Sequence, residues 1–62
     1  MTIYEKVKEK AQEQNKSIAA VEVAANIANG TIAGWKTGRP YAETLFKVAS
    51  VLGCSVEELM PD

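Results

Sequence analysis

The stretch from Ser17 to Pro40, SIAAVEVAANIANGTIAGWKTGRP, decides how this chain folds. Ser17 is a helix-capping residue type, and behind it Ile18, Val21 and Ala25 recur at i, i+3 and i+7. That spacing puts them on one face of a helix of about two turns. Asn26 tolerates the left-handed backbone better than other non-glycine residues, so the helix is expected to stop there. The apolar rhythm resumes with Ile32 and Trp35, three apart, and predicts a further helix over about residues 28–36. Thr37-Gly38-Arg39-Pro40 then brings a glycine stop and a proline suited to opening the next helix. Between Glu22 and Lys36 the stretch carries no charge, and its side chains are mostly alanine and glycine.

Upstream, Ile3, Val7 and Ala11 stand four apart in residues 2–14, with Glu5, Glu9 and Glu13 beside Lys6, Lys8 and Lys10 on the remaining surface. This is the pattern of an amphipathic first helix with a solvated charged face. Downstream of Tyr41, the residues Leu45, Val48, Ala49 and Leu52 mark a fourth helix ended by Gly53. SVEE at 55–58 has the form of a capping box, and the fifth helix behind it carries Val56, Leu59 and Met60 before Pro61 ends it. No strand pattern, internal repeat or low-complexity segment interrupts this order. The fold class expected is all-α, a compact bundle of five short helices forming one domain over residues 1–62. Val21, Ala25, Ile32, Trp35, Val48 and Leu52 are expected to meet in its core.

Composition restricts the function. A chain of 62 residues has room for one modest core, and its 47% hydrophobic and 24% charged content suits a compact helical domain. With Cys54 the single cysteine and no histidine, an internal disulfide, a zinc site and Cys–His catalysis are all disfavoured. The carboxylates fall mostly on predicted helix surfaces, not in a pocket with a nucleophile, so no enzyme, cofactor, metal or small-molecule substrate is expected. No apolar run approaches the roughly 20 residues of a membrane span, and the amino end alternates Lys with Glu. The expectation is a soluble, cytoplasmic protein without a membrane partner.

Two longer patterns, SI..VE....I.NGTI..W..G.P and L.KVA..LG.SV.EL, hold one register across the middle and end of the chain. Over about residues 3–60 they resemble the lambda-repressor-like helix-turn-helix regulators, the Cro/CI or XRE family. The resemblance implies that the second and third helices, about residues 17–36, form the DNA-binding unit, with the third helix in the major groove of an operator. It also implies a small bacterial or phage repressor working on the nucleoid of the host cell. Carried over position by position, the base contacts fall on Asn29, Gly30, Thr31, Ala33 and Gly34. Asn29 is suited to bidentate pairing with adenine, and the Thr31 methyl to contact with thymine. Phosphate contacts fall on Ser17, Lys36, Thr37, Arg39, Tyr41 and Lys47.

Relatives bind paired half-sites as dimers, and Val56, Leu59 and Met60 are the expected homodimer surface. The formal net charge of −1 does not oppose double-stranded DNA as partner, because it is unevenly spread. Residues 16–41 hold Lys16, Lys36 and Arg39 against Glu22, a net of +2, whereas residues 48–62 hold Glu57, Glu58 and Asp62 and no base, a net of −3. The sequence departs from the family pattern in having Asn26 for the usual glycine, Ala28 for a polar cap, and Ala33 and Gly34 at often basic or polar places. Those departures keep open a scaffold repurposed for protein binding, an antirepressor or antitoxin-like module. The DNA-binding part of a longer regulator is a further alternative.

Overall fold

Three helices in this protein close at their carboxyl ends by the same device, a residue in the left-handed region behind the last helical turn. The computed structural model describes residues 2–60, so Pro61 lies outside the described residues. Helix α1 spans Ile3–Glu13, α2 Ile18–Ala25, α3 Ala42–Leu52 and α4 Val56–Leu59. The left-handed residues are Asn15 (φ 57°) after α1, Asn26 (φ 59°) after α2 and Gly53 (φ 68°) after α3. In each case the next amide folds back to the helix: Lys16 N–H donates to the Ala11 carbonyl at 2.8 Å, Ile27 N–H to Glu22 at 3.1 Å and Cys54 N–H to Ala49 at 3.0 Å. Carbonyls that a helix end would leave unpaired are thereby satisfied, and the chain reverses within two or three residues.

The amino ends are capped as firmly. Ser17 Oγ accepts from the Ala20 amide at 3.0 Å, as its place before Ile18 predicts. The capping box at Ser55 and Glu58 is formed, and a second one that the apolar pattern does not reveal joins Thr2 to Glu5. Helix α3 has no such side chain at its start, where Tyr41 stands as the cap. Pro40 therefore lies two residues ahead of the helix and does not open it.

The core gathers Val7 and Ala11 of α1, Val21 and Ala25 of α2, Ile32, Trp35, Leu45, Val48, Ala49 and Leu52 of α3, and Leu59 of α4. All six residues expected at its centre are there. Polar ties hold the outer helices: Gln14 Nε2 donates to the Leu52 carbonyl at 2.6 Å, and the Lys10 ammonium meets the Glu58 carboxylate at 3.4 Å. Among the described residues no helix is long and apolar enough to cross a membrane.

The main departure from expectation is the third of five helices. Residues 29–32 form turns and only Ala33–Lys36 is helical, as a single 3₁₀ turn, so the described residues hold four α-helices. Gly30 at φ +92° lies in a region that no α-helix includes, and this breaks the element at its start. Ala28 has no side chain to cap it, and Gly34 disfavours helix from within. What remains is a mixed set of turns, with Thr31 N–H on Ala28 O at 3.2 Å, Gly34 N–H on Gly30 O at 3.2 Å and Trp35 N–H on Ile32 O at 3.0 Å.

Candidate nucleic-acid interface

A segment with so few bonds of its own must take its shape from what lies beneath it. Two apolar anchors do part of this, because Ile32 is fully buried and Trp35 is 6% exposed. The third anchor is a charge. Glu22 of α2 is only 3% exposed, and its Oε2 accepts the amides of both Gly30 and Ile32 at 3.0 Å. A buried carboxylate needs such donors to offset the loss of its water shell, and two backbone N–H groups aimed at one oxygen supply them. Sequence reasoning missed this residue. The available signal was a single acid among seven apolar side chains in the helix IAAVEVAA.

Above these anchors, Asn29, Gly30, Ala33 and Gly34 are exposed and Thr31 is half-buried. Thr31 Oγ1 donates to the Ala28 carbonyl at 2.7 Å, so its hydroxyl proton is spent inside the loop and its free lone pair and methyl are what it can present outward. A Cβ added at Gly34 would meet nothing within 4 Å, which identifies that position as an open outer surface. The space at Gly30 is equally open, but its positive φ is the reason for glycine there. The five residues expected to contact bases thus fall within one short segment, interrupted by the buried Ile32, on turns and the start of a 3₁₀ turn and not on a regular α-helix.

Lys36, Thr37 and Arg39 follow directly and are exposed. The Lys36 ammonium lies 4.8 Å from the centroid of the Tyr4 ring, a cation–π contact that holds it against α1. With Glu22 turned inward, the exposed charges of residues 16–41 are Lys16, Lys36 and Arg39. Ser17 stands apart at the start of α2, with its Oγ engaged as a cap. Tyr41 is 85% exposed at the start of α3, and Lys47 lies 4.0 Å from Glu43 one turn away on the same helix.

The proposed association residues divide. Leu59 is fully buried and belongs to the core, so it has no surface to give a partner. Burial of the single-turn helix α4 against α1 and α3 consumes it. Val56 is half-buried and Met60 is 44% exposed, and both line a groove of about 750 Å³ with the apolar Phe46, Pro40, Trp35 and Ile3, which Lys36, Thr37 and Arg39 also line. Phe46, at 67% exposure, is an apolar surface residue that helical spacing alone does not single out.

Comparison with known proteins agrees with the helical fold. A family model described as helix-turn-helix matches residues 7–59. Among solved structures, the crystal structure of the prophage Lp1 protein 11 is similar, with a TM-score of 0.78 and 30% sequence identity over 92% of this chain and 79% of that one. No curated protein matches the sequence.

Proposed function

The chain belongs to the lambda-repressor-like helix-turn-helix family, as a DNA-binding regulator of the XRE type, and from that premise we propose that it acts as a small repressor. In this reading it occupies an operator in the cytoplasm and excludes polymerase. The observation that carries the reading is the 29–34 segment: exposed and small outside, anchored by Ile32, Trp35 and Glu22 inside, and followed by the exposed cations Lys36 and Arg39. Small residues let the backbone approach a groove floor, and cations beyond them neutralise phosphates. Asn29 and Thr31 read base edges, while Gly30, Ala33 and Gly34 permit close approach. Lys36, Thr37 and Arg39, with Ser17, Tyr41 and Lys47 farther out, hold the phosphate backbone. The domain works as a homodimer through Val56, Met60 and Phe46, since an exposed apolar strip of this kind marks association.

Binding to a random duplex and to a randomised-site pool across a salt series tests this. Asn29→Ala should lose about 1–3 kcal/mol on the selected site and little on random DNA, relaxing preference at one base position. Lys36→Ala should weaken all sequences alike and reduce the slope of log affinity against log salt by about one. A parent without duplex affinity at low salt, or two variants that bind as the parent does, would overturn the DNA reading in favour of a protein partner.

A further inference from the structure

Glu22 anchors the 29–34 segment through a carboxylate that is only 3% exposed. We propose that Glu22 is a positioning residue for sequence recognition: its carboxylate sets the loop Ala28–Ile32 in the shape that reads base edges, in place of the helical hydrogen bonds the loop lacks. The inference rests on the DNA reading above.

Three observations carry it. The loop has positive φ at Gly30 and few internal hydrogen bonds, so its own backbone does not define one shape. The two Glu22 contacts are to alternate residues, Gly30 and Ile32, which flank Thr31 on both sides. Fixing the amides before and after Thr31 fixes the direction in which its side chain leaves the loop. Third, the carboxylate comes from the middle of α2, whose neighbours Val21 and Ala25 are buried in the core, so the reference frame it transmits is rigid. A loop held this way loses little freedom on meeting DNA, and the saving appears only on sites whose base edges match the held geometry. Random duplex, gripped through Lys36 and Arg39, gains little from it.

Glu22 also governs which groups the loop can offer. The amides of Gly30 and Ile32 point inward and are spent, and the Thr31 hydroxyl proton is spent on Ala28. Toward DNA, Thr31 therefore acts as an acceptor and suits an exocyclic amine, adenine N6 or cytosine N4, beside its methyl contact. Among the side chains of this loop, the Asn29 carboxamide is the remaining donor.

Two conservative variants separate reach from charge. Glu22→Gln keeps the length and one accepting oxygen but removes the charge; Glu22→Asp keeps the charge but withdraws the oxygen by one methylene. The readouts are amide proton shifts and exchange protection by NMR, and the ratio of affinity for a site selected by the parent to that for random duplex. The expected result is that Glu22→Asp loses protection at Gly30 and Ile32, keeps it at Val48 and Leu52, and drops the affinity ratio by about ten-fold, the scale of one charged hydrogen bond. Glu22→Gln should stay within about three-fold of the parent, since its oxygen still reaches both amides.

Unchanged Gly30 and Ile32 amides in Glu22→Asp, or loosened amides with an undiminished ratio, would overturn the inference while the parent still discriminates. Loss of core protection together with the loop would make Glu22 a support of the whole fold, and would overturn the local role. A parent that shows no preference among duplexes defeats the DNA reading itself, a result seen before any variant is made.

Discussion

Trp35→Ala should come close to unfolding this domain. The indole is 6% exposed and lies in the same core as Ile32, Leu45 and Val48. It is also the largest anchor of the 3₁₀ turn against α1, an element with little stability of its own. Replacing a buried tryptophan by alanine costs about 3–5 kcal/mol, from lost transfer free energy and the cavity left behind. At roughly 0.05–0.15 kcal/mol per residue, a chain of 62 residues has about 3–9 kcal/mol in total. The variant is then marginal, and a survivor should melt at least about 12 °C below the parent, since each kcal/mol shifts the midpoint of so small a domain by about 4–8 °C. Thermal and urea melts followed by circular dichroism measure this without relying on the lost fluorophore. Trp35→Phe, which keeps most of the apolar volume, should fall between the two. A Trp35→Ala protein melting within about 3 °C of the parent, less than 1 kcal/mol, would refute the core assignment and with it the anchoring of the 29–34 segment.

Gly53→Ala should lose about 1 kcal/mol from the positive φ alone, because the added Cβ meets nothing, and Gly53→Asn should lose less; equal melting of all three would remove the backbone argument. The Ser55 amide and the Lys10 ammonium hold the Glu58 carboxyl below the usual 4.5, and the Thr2 amide does the same for Glu5. Because the folded value is the lower one, their contribution is complete above pH 4.5 and fades as pH falls through the depressed values. Glu58→Gln should therefore flatten the acid limb of the melting curve, and a limb parallel to the parent's would show the contact to be without thermodynamic weight. Sedimentation at micromolar concentration, with and without operator DNA, should find a dimer that Phe46→Ser or Met60→Ser weakens; a monomer in both conditions, one per duplex, would defeat the homodimer.

The helices were legible where the sequence carries two agreeing signals, an apolar spacing and a cap. Ser17 with Ile18 and Val21, and Ser55 with Glu58, are such cases, and both caps are formed. The stretch 28–36 carried only the spacing of Ile32 and Trp35, which a 3₁₀ turn satisfies as well as an α-helix, since three residues make one 3₁₀ turn. Its breaking glycine was visible, but the sign of φ at Gly30 depends on where Ile32 must be buried. Leu59 and Met60 are adjacent and equally apolar in sequence, and only the packing of α4 decides that one is core and the other surface. Glu22 was hidden for a different reason. A charge in an apolar helix reads as an exposed side chain, and the amides that hold it inward come from a loop eight and ten residues away.

Because the 29–34 segment is held in place from below, its outward positions carry almost none of the energy of folding. Asn29, Ala33 and Gly34 are exposed, and at Gly34 a side chain would enter open space on an unstrained backbone. New side chains at these three places can be exchanged without repacking the protein, whereas Gly30 is closed to exchange by its φ of +92°. The same frame could thus be retargeted from one operator to another by a few substitutions, with thermal stability as the quantity that stays constant while preference changes.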